Sequence, residues 1–354
     1  MGISTNPLLF IVKASIAIKT ILAFSLYRTG LSIRKLRQVS RHNFVILMYH
    51  RIIPLNEVGE AVQAGIYVRQ DTFERHIRFL KSHFSIVPIS ELFSGKAGKS
   101  CVTDNKPPCV LTFDDGWYDF YACAFPILET HQVPATNFLP TDFIGTKDRF
   151  WTDKLGYLFA VRDNRVSLQK ANRSSANCLV NQLEKLKGSI ESRLEQAIAM
   201  LKGYRNEEIN EILSELSVRW QLDPSKPDRA FLSWEEVREM TQSGLITFGS
   251  HTASHKILTT LTDDEIHDEL MRSRERLIAE QAVDPSFIPF CYPNGNYNKE
   301  VVSMVRDAGY NLAVTTKKGW NHVESDLFTL RRTGIHQDIS STEAMFACRI
   351  LNLF

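Results

Sequence analysis

The stretch CVLTFDDGWYDF, residues 109–120, decides how this chain is read. Cys109, Val110 and Leu111 open an apolar run that predicts a buried strand, and the run ends in two adjacent carboxylates, Asp114 and Asp115. Buried charge is costly unless it is paired or bound to a cation. A solvated Asp-Asp-Gly turn would need no partner, but the apolar flank on the N-terminal side argues for a strand end that uses its charge.

The same pattern recurs outward from this point. FVILMYH (44–50), PATNFLP (134–140), LITFGSHT (245–252) and FIPFCYP (287–293) are apolar runs that end in polar residues. Between them lie helical patterns. TFERHIRFLKSHF (72–84) spaces Phe73, Ile77 and Leu80 on one face, and WYDFYACAFPILETH reads as the helix after the Asp pair. Ser233 with Glu236, and Thr262 with Glu265, have capping-box spacing, and a further helix opens near Asn298 and closes at Gly309. Strand-then-helix order predicts a parallel α/β fold, barrel-like, with the chemistry at the C-terminal ends of the strands. Residues 160–230 stand apart. Leu179, Leu183, Leu186, Ile190, Leu194, Ile198 and Leu201 follow intervals of three and four, which predicts a helical insertion packed on the barrel. The run is too short to favour a coiled-coil seam.

With 354 residues and 44% hydrophobic content, the chain has enough apolar material for a large core, and its net charge of +2 carries no nucleic-acid footprint. Six cysteines without CxxC spacing argue against a thiolate zinc site and a disulfide framework, so a reducing cytoplasm is the expected compartment. Residues 1–50 hold seven Lys or Arg and no Asp or Glu. PLLFIVKASIAIKTILAFSLY (7–27) is apolar but broken by Lys13 and Lys19, so it offers no clean span or signal peptide. The expectation for this arm, residues 1–43, is a helix docked on the domain or lying at the inner membrane face, where apolar anchors and basic residues meet anionic lipid.

GSHTASH (249–255) places His251 and His255 four residues apart after a predicted strand. Two histidines converging with one Asp make a borderline-hard site suited to zinc, iron, cobalt or nickel, with positions left open, which marks a catalytic rather than a structural ion. The two carboxylates would then divide the work. One holds the cation and the other takes a proton from water that the cation acidifies.

TFDDG (112–116) followed by HTASH (251–255) resembles the polysaccharide deacetylases with a NodB-type domain, carbohydrate esterase family 4. LMYHRI (47–52), PATNFLPTDFIG (134–145), FWTDKL (150–155), the stretch 232–262, FCYPNGNYN (290–298) and LRRTGI (330–335) resemble the same family in the same order. The resemblance covers residues 44–340 apart from the insertion, leaving 341–354 as a tail, and implies a distorted (β/α) barrel. It implies that Asp115, His251 and His255 hold a divalent metal, zinc foremost, and that Asp114 is the general base. His50, in the YHRI opening, would be the general acid, with His336 in GIHQD as its rival. FCYPNG departs from the family's RPPYG-like pattern: Cys291 stands where many members have Arg, and Asn294 where they have an aromatic. The backbone N–H near Asn294 remains a candidate oxyanion donor, Tyr292 a pocket wall, and Arg332 a candidate for the missing arginine that orients the base. The implied activity is hydrolysis of the N-acetyl group of an amino sugar in a polysaccharide or saccharide intermediate, releasing acetate. Two other readings remain: a metal- or sugar-binding protein without turnover, and an assembly protein that recruits polysaccharide-synthesis enzymes.

Overall fold

Parallel neighbours require the chain to cross back over the sheet between strands, and the helical segments do this. The computed structural model describes residues 7–40, 42–54, 63, 65–93, 106–164, 178–223 and 229–353. Residues 1–6 and Arg41 of the arm, Cys101, residues 165–177 and 224–228 of the insertion, and Phe354 lie outside the described residues. The arm forms α1 (Pro7–Arg28) and α2 (Leu31–Arg37). There follow β1 (Asn43–Tyr49), β2 (Arg51–Ile53), β3 (Tyr67–Arg69), α3 (Gln70–His83), β4 (Ser85–Ile86), α4 (Ser90–Phe93) and β5 (Pro108–Phe113). A π-helical turn at Phe120–Ala124 leads into α5 (Phe125–His131), so the predicted helix after the Asp pair starts with a wider turn. β6 is Ala135–Leu139.

The insertion comprises α6 (Trp151–Asn164), α7 (Cys178–Glu184), α8 (Ile190–Leu201) and α9 (Asn206–Trp220). It begins earlier than the predicted 160. The stripe from Leu179 to Leu201 is two helices rather than one, because Gly188 takes φ 118° and Ser189 caps α8 by accepting from the Ser192 N–H. The chain returns through α10 (Trp234–Gln242), β7 (Ile246–Ser250), α11 (Asp263–Ala279), β8 (Pro289–Cys291), α12 (Lys299–Asp307), β9 (Leu312–Val314), β10 (Asn321–His322), β11 (Thr333–Gly334), α13 (Gln337–Ser340) and α14 (Glu343–Ile350). The capping boxes at Ser233 and Thr262 form as predicted.

The sheet runs β10-β1-β5-β6-β7-β8-β9, with β1 and β5 to β9 parallel along it. β5 is buried along its whole length, which is why its sequence is apolar apart from Thr112 rather than alternating. The curl is closed by residues 330–334. Leu330 bridges Val314 of β9, and β11 pairs in parallel with Leu47 and Met48 of β1. Ile46, Val110, Phe138, Cys291, Val314 and Leu330 share a cluster that contains no residue of the long surrounding helices, and this is the inside of the barrel. A larger cluster joins the outer strand faces to α3, α5 and α10 to α12.

Residues 341–353, expected as a tail, carry α14, which is buried along most of its length. Its Phe346 stacks on His76 of α3 with ring centroids 3.8 Å apart. The His76 ring is fully enclosed: Nε2 donates to the Ser340 carbonyl at 2.7 Å, and Nδ1 accepts from the Tyr49 hydroxyl at 3.3 Å. Burial, opposed only in part by the Ser340 carbonyl, pushes its pKa from 6.5 down to about 3. The sign follows directly. The unfolded chain takes up this proton near pH 6.5 and the folded chain refuses it until about pH 3, so stability falls as pH drops through that window. The loss approaches roughly 5 kcal/mol. Urea unfolding across this range should show a flatter pH dependence in His76→Asn than in the wild type; an identical slope would show that His76 does not titrate this way.

α1 docks on α14, with Ala23 packed beside Ala344, Met345 and Cys348 and the Tyr27 hydroxyl donating to Glu343 at 2.9 Å. Its opposite side exposes Ile18, Ile21, Leu22 and Phe24. No helix among the described residues is long and apolar enough to cross a membrane.

Candidate active site

Register brings the predicted residues together. Tyr49 of β1 lies opposite Phe113 of β5, so the residues that follow, His50 and Asp114, leave the sheet side by side, and the Asp114 N–H bonds the Tyr49 carbonyl at 3.0 Å. Two strands further round, β7 delivers His251, whose N–H bonds the Leu139 carbonyl at the end of β6 at 2.9 Å. All of them sit at the C-terminal ends of strands.

Asp115 turns out of the strand in the left-handed region, φ 76°, and Gly116 continues it at φ 63°. A Cβ at Gly116 would lie 2.7 Å from Leu139 Cδ2, so both the conformation and the space demand glycine there. The reversal points the two carboxylates at different partners. Asp115 Oδ1 lies 3.4 Å from His251 Nε2 and 3.3 Å from His255 Nε2, while Oδ2 accepts from the Trp117 indole N–H at 3.1 Å. His251 Nδ1 donates to the Cys291 carbonyl at 2.8 Å, which orients Nε2 towards Asp115. His255 also has positive φ, 60°, and its N–H is held by the Thr252 hydroxyl at 3.0 Å.

Asp114 faces Arg332, which is fully buried. The guanidinium grips it with both forks, Nη1 to Oδ1 at 2.7 Å and Nη2 to Oδ2 at 2.8 Å. The fork is held in turn by the Thr112 hydroxyl at 3.1 Å, the Cys291 sulfur at 3.1 Å and the Thr315 carbonyl at 2.9 Å. Burial alone would raise the Asp114 carboxyl, but the Arg332 charge outweighs it and holds the group below its usual range. Asp115 is likewise buried, and its histidine partners bring it well below that range. Burial disfavours the imidazolium of His251, yet Cys291, Asp115 and Asp114 around it keep a proton there well above the ordinary histidine range.

Asp115, His251 and His255 offer ligand atoms that all lie within 4.8 Å of one another. One carboxylate oxygen and two imidazole nitrogens fit a divalent transition ion, and such an ion would take the place of the His251 proton. Asp114, His251 and Cys291 form a second group within the same limit. There the Arg332 fork already occupies both Asp114 oxygens and the sulfur, so its negative charge is compensated without an ion.

His50 Nε2 is 3.9 Å from Asp114 Oδ2 and lines the cleft. His336 pairs with Asp338 at 3.4 Å and is not among the lining residues. Tyr292 lines the cleft with its hydroxyl donated to the Phe328 carbonyl at 3.0 Å. Asn294 sits at the rim with φ 55°, its side chain accepting from Lys202 of the insertion at 3.1 Å. The sequence reading omitted four contributors: Trp117, Thr112, the Cys291 side chain and Lys202. Trp117, two residues past Asp115, could have been suspected from its indole donor; Lys202 carries no signal in the sequence.

The profile of the polysaccharide deacetylase family matches residues 102–313. Bacillus subtilis YxkH is 22% identical over 300 residues, which span 84% of this chain and 73% of that protein. The poly-beta-1,6-N-acetyl-D-glucosamine N-deacetylase of Staphylococcus aureus is 30% identical over 112 residues, 29% of this chain and 37% of the enzyme. Among solved structures, the Streptococcus pyogenes deacetylase PplD in complex with acetate superposes with a TM-score of 0.55 at 20% identity, covering 86% of this chain and 96% of that one. That likeness supports the barrel fold.

Proposed function

Because the chain belongs to the polysaccharide deacetylase family, we propose that this hydrolase removes the N-acetyl group from an amino sugar within a saccharide chain with the help of a divalent cation. The observation that carries the reading is the division between the adjacent carboxylates: Asp115 faces two imidazoles, and Asp114 faces a buried guanidinium. The named activity of the staphylococcal relative, on poly-beta-1,6-N-acetyl-D-glucosamine, supports a polymer of that kind as substrate.

Asp115, His251 and His255 would hold the cation, zinc first among the candidates. When bound, it supplies Lewis acidity that polarises an acetamide carbonyl and acidifies water. Asp114, fixed by Arg332, accepts the proton of the attacking water, and the backbone N–H at Asn294 stabilises the oxyanion. His50 gives a proton to the departing amine, favoured over His336 by its 3.9 Å approach to Asp114. Tyr292 walls the acetyl pocket. Acetate and a free amine leave.

The test is metal content together with turnover. After dialysis against zinc, about one ion per chain should remain on the wild type and be lost in His251→Ala, along with acetate release from N-acetylglucosamine oligomers. Metal retention without acetate release would favour the binding-protein reading.

A place at the inner face of a membrane is part of the proposal. Ile18, Ile21, Leu22 and Phe24 are exposed on α1, with Arg28, Arg34 and Lys35 following, a pairing that complements an anionic lipid surface. Changing Ile21 and Phe24 together to Asp should cut cosedimentation with phosphatidylglycerol vesicles roughly tenfold or more. Unchanged partitioning would sink the idea.

A further inference from the structure

The insertion has its own core. Leu158, Phe159, Leu183, Leu194, Leu213 and Leu216 belong to a cluster confined to residues 155–222, with no barrel strand contributing. Nothing in that core holds the reactive groups, whose partners come from strand ends and the loops after them. Yet α8, α9 and the loop between them form one wall of the cleft that contains Asp114 and His255. That cleft measures about 720 Å³, more space than an acetamido group alone would fill.

The wall has a specific chemistry. Leu194 and Ile198 give it an apolar base, and Tyr204, 45% exposed, stands open beside Lys202, Arg205 and Asn210. Among the described residues, Tyr204 is the only markedly exposed large apolar side chain that lines the cleft. The loop is tied across the mouth to the turn after β8 by Lys202 and Asn294, and Glu207 of α9 approaches Lys256 at 3.9 Å. An aromatic face next to forked and amide donors matches a pyranose ring, which presents C–H bonds on its face and hydroxyls on its edge. Charges of both signs share this rim, Glu207 and Glu265 with Lys202, Arg205 and Lys256, so it suits a neutral chain better than a polyanion.

We propose that the α8–α9 loop is a saccharide subsite, in which Tyr204 stacks on a sugar unit next to the one whose acetamide is at Asp114, and Lys202, Arg205 and Asn210 hydrogen-bond its hydroxyls. This rests on the deacetylase reading. The insertion thereby selects oligomers over single sugars.

The test uses the full chain with two probes, N-acetylglucosamine and its β-1,6-linked pentamer. Binding is titrated calorimetrically in the Asp114→Asn background, so that no turnover intervenes, and acetate release is followed with Asp114 intact. Tyr204→Ala should weaken pentamer binding about fivefold to tenfold, the scale of one aromatic contact, and lower the pentamer-to-monomer ratio of kcat/KM in parallel. Tyr204→Phe should keep both, and Val218→Ala, exposed on α9 but absent from the cleft wall, should match the wild type. Pentamer affinity unchanged in Tyr204→Ala, or no pentamer binding at all, overturns the subsite. Tyr204-dependent binding with no acetate released from either probe leaves the subsite standing and removes the deacetylase reading.

Discussion

Asp114→Asn keeps about one divalent ion per chain and loses turnover by roughly 10²- to 10⁴-fold, the contribution expected of a positioned general base. The expectation follows from the separation of duties at residues 114 and 115. The candidate ion ligands are Asp115, His251 and His255, so the change at Asp114 leaves that set whole. The amide cannot accept a proton from water, and its NH₂ group meets the Arg332 fork donor to donor. Metal analysis beside steady-state acetate release checks both halves. Wild-type turnover in the variant would remove Asp114 as the base, and loss of the ion would make it a ligand instead.

Arg332→Met should have the largest effect on stability. The side chain is completely buried and holds both oxygens of a buried carboxylate. Removing it strips Asp114 of its bidentate counter-charge, a change that costs about 3–5 kcal/mol when one partner of a buried pair is deleted. The lost fork also frees the carboxylate to rotate away from its working position, so activity falls as well. The double change Arg332→Met with Asp114→Leu separates the two effects: it should recover most of the stability, because no unpaired charge remains, and none of the activity. Urea midpoints of the three proteins decide it. A single variant as stable as the wild type would mean that Asp114 is neutral or solvated when folded.

Strands β1, β5 and β7 were legible because each is a short apolar run cut off by a polar residue of the candidate site. FVILMYH, CVLTF and LITFGSHT became β1, β5 and β7 almost residue for residue. Local rules also carried the capping boxes at Ser233 and Thr262. What local rules could not supply were partners far apart in the chain. That Cys291 would be an acceptor for Arg332, rather than merely a missing arginine, depends on β8 and the 330–334 segment meeting in space. Burial of α14 was hidden for the same reason. Its helical pattern is ordinary, and only the site offered by His76 and the docking of α1 turn a tail into core. The break between α7 and α8 hinged on one glycine with positive φ, inside a stripe whose spacing alone favoured continuity.

The segment that closes the barrel also delivers Arg332, and this orders events in time. Asp114 leaves the ribosome 218 residues before its counter-charge does. Until residues 330–334 are synthesised and join β1 to β9, the nascent chain carries the carboxylate without its fork, and the mouth of the barrel lacks one side. Closure of the sheet and delivery of the guanidinium to Asp114 are therefore a single event, so a copy that has not seated this segment holds the carboxylate without its fork.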